Sequence, residues 1–258
     1  MTVLHKEVYG QGEPVVMLHG WAMHSGVWRV FAQTLATQRQ LVCMDLPGHG
    51  LSESVSPYTL ESVVDAVYAE LPEQACTLVG WSLGGNVALR LAEKYPQRIK
   101  SIVLIASNPQ FTATQSWPGV ASQALKEFAN NLQRNCTPTL LRFMSLQVQG
   151  KPDTKSNLKQ IKMAMQECAA PTAEVLEAGL SVLQTVDQTK VLSSIAMPVL
   201  MVLGEQDTLV PVSVGKCCQS LNAQIEVKII AGAGHVPFIT DQEQLLMLMQ
   251  DFMQRSKD

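Results

Sequence analysis

The chain has 258 residues, of which 47% are hydrophobic and 16% are charged, and its formal net charge is −3. This composition predicts a globular protein with a large core, and the small negative charge gives no general attraction to nucleic acid or to membranes. The N-terminus lacks the apolar run of a signal peptide, and no segment reaches the roughly 18 apolar residues of a membrane span. The six cysteines show no C-x-x-C spacing, so we expect reduced thiols and a cytoplasmic protein.

Short apolar runs of strand length alternate with helix-length segments in the first part of the chain. The predicted strands there are Val15–Leu18, Leu41–Met44, Cys76–Val79 and Ile99–Ala106, and the predicted helices are Val27–Ala36, Leu60–Leu71 and Gly85–Tyr95. Later segments resume the alternation, with strands at Val199–Leu203 and Glu226–Ile230 and helices at Val212–Leu221 and Asp241–Gln254. This order predicts an α/β fold, in which a mainly parallel sheet is covered by helices on both faces.

The alternation stops in the middle of the chain. Residues 109–190 show helical patterns and no comparable strand run, with breaks expected at Pro118, Pro138, Pro152 and Pro171. The sequence therefore predicts one α/β core, made of residues 1–108 and 191–258, with a helical cap inserted at residues 109–190.

A serine motif stands at the junction of a predicted strand and a predicted helix. Gly80-Trp81-Ser82-Leu83-Gly84 matches the G-x-S-x-G pattern of a nucleophile elbow, a strained turn in which a larger residue would collide with the backbone. The turn also sets Ser82 at a helix N-terminus, where unpaired N–H groups favour developing negative charge. We therefore expect Ser82 to be a nucleophile; the alternative is a glycine-rich turn that carries an inert serine.

A serine hydroxyl needs a base to act as a nucleophile at neutral pH. Of the five histidines, His235 follows a late predicted strand, at the sheet edge where open α/β sheets bind ligands. His19 and His49 each precede a glycine in a tight turn, and we expect them to organise loops. The orienting acid should follow an intervening strand, where both Glu205 and Asp207 occur. Asp207 is favoured because it lies deeper in the loop, and Glu205 is interpreted as a solvated carboxylate.

Acyl transfer also needs hydrogen-bond donors for the oxyanion of the tetrahedral intermediate. We expect these donors to be the backbone N–H groups of Leu83, which follows the nucleophile, and of Trp21, in the loop after the first predicted strand. No cluster of His, Cys, Asp and Glu has the spacing of metal ligands, so neither a metal nor a cofactor is predicted.

Together these motifs resemble those of the α/β-hydrolase superfamily, with segments His19-Gly20-Trp21, Asp45-Leu46-Pro47-Gly48-His49-Gly50, Gly204-Glu205-Gln206-Asp207 and Gly234-His235. Other segments are similar to the esterases that act on the methyl ester of pimeloyl-[acyl-carrier protein] in biotin biosynthesis, namely Ala106-Ser107-Asn108-Pro109, Trp117-Pro118-Gly119 and Arg142-Phe143-Met144-Ser145-Leu146-Gln147. The resemblance implies a serine carboxylesterase that releases methanol and frees the distal carboxylate of a pimeloyl chain. It also implies that the substrate is presented by acyl carrier protein.

The predicted cap is locally basic. Its segment 134–162 carries a net charge of +5, from Arg134, Arg142, Lys151, Lys155, Lys159, Lys162 and the single acid Asp153. Three of the lysines recur at i, i+4 and i+7 on one face of a predicted helix, opposite Leu158, Ile161 and Met165. Such a stripe is usually only a solvated face, but next to a site that resembles a carrier-dependent esterase we expect Arg142, Lys155, Lys159 and Lys162 to dock the acidic carrier. The family's docking face is largely arginine, and lysine binds as a point charge rather than as a fork.

Six residues are candidates for contact with the substrate's acyl chain: Trp21, Phe111, Trp117, Phe143, Leu146 and Gln147. The alternative is that they pack the cap against the core. Two other functions remain open within hydrolases, a small-ester carboxylesterase and a carbon–carbon bond hydrolase with a similar cap. From a different class, the chain could be a ligand-binding protein that kept the fold and lost turnover. No nucleic acid or membrane partner is expected.

Overall fold

The computed structural model describes residues 2–148 and 154–256, so the predicted cap residues Lys151, Pro152 and Asp153 lie outside the described residues. Seven strands form one sheet: β1 Lys6–Tyr9, β2 Pro14–Leu18, β3 Gln40–Met44, β4 Cys76–Trp81, β5 Ile99–Ile105, β6 Val199–Gly204 and β7 Ile225–Ile230. Their order across the sheet is β1-β3-β2-β4-β5-β6-β7. Every neighbouring pair is parallel except the edge strand β1, which runs antiparallel to β3.

Eleven α-helices are described: α1 Arg29–Leu35, α2 Leu60–Ala69, α3 Leu83–Lys94, α4 Ser122–Arg134, α5 Cys136–Gln147, α6 Thr154–Gln166, α7 Ala173–Thr185, α8 Thr189–Ser194, α9 Ser213–Leu221, α10 Pro237–Thr240 and α11 Gln242–Arg255. Two short 3-10 helices lie at Ser25–Trp28 and Pro96–Arg98. In residues 2–148 and 154–256, no helix combines the length and the apolar character needed to cross a lipid bilayer.

The core lies on both faces of the sheet. Strands β2, β4 and β6 are buried along their whole length, as is usual for central strands that are covered on both sides. Helix α3 packs against β4 and β5 through a buried face that includes Val87, Leu91 and Ala92. The α/β fold with a mainly parallel sheet, predicted from the sequence, is confirmed. Its parallel strands bring the residues that follow β4, β6 and β7 to one edge of the sheet.

The described chain between β5 and β6 is helical. It forms α4 to α8, and its extended pairing is limited, within the described residues, to isolated bridges between Gln110 and Asp187 and between Thr112 and Val120. The helical pattern is interrupted near Pro138, as expected: α4 ends at Arg134 and α5 begins at Cys136. Pro138 lies in the first turn of α5, where a proline gives up no intrahelical hydrogen bond. Treating residues 109–190 as a separate cap remains our proposal.

Several short elements were not predicted, among them the edge strand β1, the helices α8 and α10, and the 3-10 helix at Pro96–Arg98. The edge strand β1 and the helix α10 have four residues each, which is too short for a hydrophobic period to show. The helix expected from Val27 begins instead as the 3-10 helix at Ser25 and continues as α1 from Arg29. His24 caps this start, because its side chain accepts a hydrogen bond from the N–H of Gly26.

Candidate active site

Ser82 forms the turn between β4 and α3, with φ 53° and ψ −117°. This is a sparsely populated backbone conformation for a residue with a side chain, and such strain persists only where the surroundings enforce it. The turn is tight: a Cβ on Gly80 would lie 2.5 Å from the carbonyl oxygen of Gly84, and a Cβ on Gly84 would lie 2.3 Å from the carbonyl oxygen of Leu18. Both glycines of the motif are therefore required by close backbone approach.

Asp207 and His235 meet at the same edge of the sheet, because Asp207 follows β6 and His235 follows β7. The Nδ1 atom of His235 lies 2.7 Å from Oδ2 of Asp207, and both side chains are buried. The other carboxylate oxygen, Oδ1, accepts hydrogen bonds from the N–H groups of Leu209 at 2.8 Å and Val210 at 3.0 Å. These main-chain donors fix the carboxylate in the orientation that engages the imidazole.

The alternative acid, Glu205, has a different environment. Its side chain is exposed, and Oε2 accepts a hydrogen bond of 2.8 Å from the N–H of Gly232. The far ring atom of His235, Nε2, is buried and has no hydrogen-bond partner among the described residues. With Nδ1–H donated to Asp207, Nε2 keeps its lone pair and can accept a proton.

His19 and His49 are buried and contact the backbone of loop residues. His19 Nδ1 is 2.8 Å from the carbonyl oxygen of Gly20, and its Nε2 accepts a hydrogen bond of 2.9 Å from the N–H of Leu46. Burial lowers the pKa of His49 to about 4. Burial, with the charge of a protonated His49 as a smaller effect, also holds the pKa of His19 well below its usual value. Nowhere in the described part of the chain do three His, Cys, Asp or Glu side chains gather as they would around a metal ion.

An aromatic cluster joins the loop after β2 to the helical segment. The ring of Trp21 lies 5.4 Å from that of Phe143 on α5 and 5.5 Å from that of Phe128 on α4, and the two phenylalanine rings are 5.4 Å apart. Trp21 is fixed by a hydrogen bond of 2.9 Å from its Nε1 to the carbonyl oxygen of Leu176. Trp21 and Phe143 were expected from the sequence, but Phe128 was missed. Phe128 lies three residues after Leu125 on α4, and this helical spacing is equally typical of an ordinary buried helix face.

A groove of about 610 Å³ runs between α4 and α5. It is lined by Ala124, Glu127, Phe128, Asn131, Asn135, Pro138, Thr139, Arg142, Phe143 and Leu146. Its volume lies in the range typical of small-molecule sites, about 300–1,000 Å³. Phe128 and Phe143 belong both to the groove and to the aromatic cluster, so the groove borders the rings that contact Trp21.

The other candidate acyl contacts are distributed more widely. Gln147 is buried at the end of α5, and its carbonyl oxygen accepts a hydrogen bond of 3.2 Å from the N–H of His235. Phe111 and Trp117 are buried in the segment between β5 and α4, where Trp117 Nε1 donates to Asn108 Oδ1 at 2.9 Å. Within the described residues, no ring contact joins Phe111 or Trp117 to the aromatic cluster.

The predicted docking cations lie on two helices that pack against each other, α5 and α6. Arg142, Lys155 and Lys159 are exposed and Lys162 is half-buried. On the opposite side of α6, Ile161 and Ala164 are buried. Across residues 2–148 and 154–256, none of the four cations takes part in an ion pair.

Comparison with known sequences finds similarity along nearly the whole chain. A family model described as the alpha/beta hydrolase fold matches residues 13–242. The chain is 37% identical to a pimeloyl-[acyl-carrier protein] methyl ester esterase of Nitrosomonas europaea, over 95% of this chain and 98% of the relative. Esterases of the same description match from Edwardsiella ictaluri, at 37% identity over 98% of each chain, and from Vibrio campbellii, at 35% identity over 97% of this chain and 98% of the relative.

Solved structures share the same architecture. An esterase from Exiguobacterium antarcticum superimposes with a TM-score of 0.88 at 19% identity, covering 100% of this chain and 96% of the other. A bromoperoxidase from Bacillus anthracis superimposes with a TM-score of 0.89 at 20% identity, covering 98% of this chain and 96% of the other. At such low identity, these two likenesses show the fold alone.

Proposed function

The chain belongs to the alpha/beta hydrolase fold family and, within it, to the pimeloyl-[acyl-carrier protein] methyl ester esterases, and we propose that it hydrolyses the methyl ester of a pimeloyl chain carried on acyl carrier protein. The family resemblance seen in the motifs is thereby confirmed. The observation that carries the proposal is 37% identity over 95% of the chain, a span that includes the helical segment as well as the sheet. The reaction releases methanol and frees the distal carboxylate for biotin biosynthesis.

Three side chains carry the proposed chemistry. The hydroxyl oxygen of Ser82 attacks the ester carbonyl carbon, while Nε2 of His235 takes the hydroxyl proton. Asp207, 2.7 Å from Nδ1, holds the imidazole in the required tautomer and stabilises the imidazolium that forms. The proton then passes from His235 to the methoxy oxygen, so methanol leaves and an acyl-enzyme remains. A water molecule, deprotonated by His235, attacks the acyl-enzyme. His235 then returns the proton to the Ser82 oxygen as the bond between Ser82 and the acyl group breaks, and the acid leaves and ionises to the carboxylate.

The tetrahedral intermediate needs donors for its negative oxygen. We assign this role to the backbone N–H groups of Leu83 and Trp21. Leu83 is the first residue of α3, so its N–H is one of the four that have no acceptor within the helix. Ala22, directly after Trp21, has φ 61°, an uncommon conformation for a residue with a side chain, and it shows that the backbone next to the second proposed donor is constrained.

The groove between α4 and α5 fits an acyl chain that enters from the surface. Its apolar residues Phe128, Phe143 and Leu146 suit the methylenes of the substrate, and the rings of Phe128 and Phe143 also contact Trp21. Gln147 follows on the same helix, and its backbone contacts His235. Phe111 and Trp117 remain proposed acyl contacts on the strength of the family resemblance alone.

An acidic carrier protein is the proposed partner of the basic surface formed by Arg142, Lys155, Lys159 and Lys162. Arg142 is an exposed residue that also lines the groove, so a carrier bound to this surface would hold its acyl chain close to the groove. Surface cations of this kind act mainly by steering association, since exposed charge pairs contribute little binding free energy one by one.

The alternatives differ from this proposal in measurable ways. A ligand-binding protein without turnover would not react with a fluorophosphonate, whereas an activated Ser82 is phosphonylated and the modified peptide is found by mass spectrometry. A small-ester carboxylesterase would hydrolyse free methyl pimelate as fast as the carrier-linked ester. A carbon–carbon bond hydrolase would act on diketone substrates.

Genetic complementation tests the proposed function in a cell. A bacterial strain that lacks its own pimeloyl-[acyl-carrier protein] methyl ester esterase, and so requires biotin, should grow without biotin when it expresses this chain. The Ser82→Ala variant, expressed to the same level, should not restore growth. Failure of the wild-type chain to restore growth, with the protein present and folded, would count against the proposal.

A further inference from the structure

The hydroxyl group of Ser107 contacts the backbone of the nucleophile elbow. Ser107 Oγ donates a hydrogen bond of 2.9 Å to the carbonyl oxygen of Ser82. Ser107 is buried just after β5, in the Ala106-Ser107-Asn108-Pro109 segment to which the proposed mechanism gives no role. The preceding residue, Ala106, has φ 45°, an uncommon conformation that turns the chain just before Ser107.

The position of Ser107 is fixed by its neighbours. The side chain of Asn108 donates to the carbonyl oxygen of Pro118 at 3.0 Å and accepts from the indole of Trp117 at 2.9 Å. The backbone carbonyl of Asn108 accepts a hydrogen bond of 3.0 Å from the side chain of Asn86 on α3. Hydrogen bonds therefore hold the residue next to Ser107 both to α3, the helix that follows Ser82, and to the Trp117-Pro118 segment before α4.

The peptide unit that Ser107 contacts is also the unit that carries the proposed oxyanion donor. The carbonyl group of Ser82 and the N–H group of Leu83 belong to one planar, trans peptide, so they point in opposite directions. A donor that holds the oxygen therefore directs the N–H towards the opposite side. Hydrogen bonding to the carbonyl also polarises the peptide and makes its N–H a stronger donor.

We propose that Ser107 is a positioning residue, whose hydroxyl orients and polarises the Ser82–Leu83 peptide so that the Leu83 N–H stabilises the oxyanion. This inference rests on the proposed function, because it requires Ser82 as nucleophile and Leu83 as donor. A second hydrogen bond, 2.9 Å from the N–H of Gly85 to the same Ser82 oxygen, belongs to the first turn of α3 and should remain when Ser107 is changed. Loss of the Ser107 hydroxyl should therefore weaken the oxyanion site without unfolding the elbow.

The test compares Ser107→Ala with Ser101→Ala as a matched control. Ser101 is a buried serine on β5 whose hydroxyl pairs with the hydroxyl of Thr77 at 3.0 Å, away from the elbow. Each variant is assayed for kcat and KM on a small p-nitrophenyl ester and for inhibition by an alkyl trifluoromethyl ketone. The serine oxygen adds to this ketone, and the carbonyl oxygen becomes an oxyanion that occupies the proposed site.

Ser107→Ala should lower kcat about tenfold, a fraction of the 10²–10³ that follows loss of an oxyanion donor itself. KM should change less than twofold, and the inhibition constant of the ketone should rise about as much as kcat falls. Ser107→Cys, whose side chain is slightly larger than that of serine but donates only weakly, should resemble Ser107→Ala and so shows that the loss does not come from a cavity. Ser101→Ala should keep wild-type kcat and inhibition.

Three results would overturn the inference: wild-type kcat and ketone inhibition in Ser107→Ala, full activity in Ser107→Cys, or equal losses in Ser101→Ala. The Ser82→Ala variant separates this inference from the proposed function. Activity that survives in Ser82→Ala contradicts the nucleophile itself. An inactive Ser82→Ala together with a wild-type Ser107→Ala contradicts only the role of Ser107.

Discussion

The indole Nε1 of Trp81 donates a hydrogen bond of 2.9 Å to the backbone carbonyl oxygen of His235. Trp81 is the residue directly before Ser82, so the strand that ends at the proposed nucleophile also holds the loop of the proposed base. The N–H of His235 is held from the other side by the carbonyl oxygen of Gln147 on α5. The proposed base is therefore held by hydrogen bonds both to the sheet and to the helical segment.

The first prediction distinguishes the two acids of one loop. Asp207→Asn should lower kcat about 10⁴-fold, because an amide favours the wrong tautomer of His235. Glu205→Gln removes a nearby carboxylate that contacts Gly232 instead of the imidazole, and it should keep activity within about twofold. Steady-state kinetics on a small ester provides the measurement. A larger loss in Glu205→Gln than in Asp207→Asn would show that the acid is misassigned.

A second prediction concerns the groove. Phe143→Ala should lower kcat/KM about tenfold for a p-nitrophenyl hexanoate but much less for the acetate, since contacts with a few methylenes are worth about 1–3 kcal/mol. Leu141→Ala is the matched control, because Leu141 is exposed on the same helix and does not line the groove. The ratio of the two kcat/KM values is the readout. If both esters lose equally, Phe143 only packs the helix.

A third prediction tests the basic surface. Raising ionic strength from 0.1 M to 1 M shortens the screening length from about 10 Å to about 3 Å, so KM for the carrier-linked ester should rise steeply while a small free ester hardly responds. The double reversal Lys155→Glu with Lys159→Glu should mimic high salt, acting mainly on association.

The matched control reverses two exposed lysines on other helices, Lys190 on α8 and Lys216 on α9, and so makes the same change in net charge. Carrier-dependent KM should be unaffected in Lys190→Glu with Lys216→Glu. An equal rise of KM in both double variants would show that the effect depends on net charge alone and not on the position of the lysines. If KM for the carrier-linked ester does not rise in Lys155→Glu with Lys159→Glu, these lysines form only an ordinary solvated face.

A fourth prediction follows from the buried histidines. Burial keeps the pKa of His49 at about 4 in the folded chain, and an unfolded histidine titrates near about 6.5. Below about pH 6.5 the unfolded state therefore binds more protons, so this contribution to stability is complete above that pH and is lost as the pH falls towards 4. The slope approaches about 1.4 kcal/mol per pH unit for each such group.

His49→Asn should reduce that slope, because asparagine does not titrate and can still donate to the carbonyl oxygen of Pro47, which His49 Nδ1 contacts at 2.9 Å. His19 and Asp45 lie nearby and remain titratable, so the slope should fall by about one proton and not vanish. Urea unfolding between pH 7 and pH 5 measures it. An identical slope in the wild type and the variant would contradict the assignment of a buried neutral His49.

The sequence predicted the fold and the three proposed catalytic residues for the same physical reason. Parallel strands end at one edge of a sheet, so residues that directly follow strands, such as Ser82, Asp207 and His235, converge there wherever the strands are recognised. The structure contains the predicted, mainly parallel sheet, and it brings Asp207 and His235 within hydrogen-bond distance. Their catalytic roles stay predictions.

Phe128 and Ser107 could not be found in this way. Phe128 shares a helix face with other apolar residues, and a helical period does not tell a binding wall from ordinary packing. Ser107 reaches the elbow only because Ala106 turns the chain, which no local pattern indicates. Phe111 and Trp117 were expected to contact the acyl chain, but they are buried outside the groove. Apolar character in the sequence does not separate residues that line a groove from residues that pack elsewhere.

The central claim is that Ser82 attacks the methyl ester of a carrier-linked pimeloyl chain. Mass spectrometry of methyl pimeloyl-[acyl-carrier protein], before and after incubation with the enzyme, measures this directly. The wild-type chain should convert the carrier to a species lighter by one methylene, the difference between methyl ester and acid, with the pimeloyl thioester intact. Ser82→Ala, folded by its thermal unfolding curve, should be slower on the order of 10⁶-fold. An unchanged carrier mass with the wild type, or a tenth of wild-type conversion with Ser82→Ala, would contradict the account.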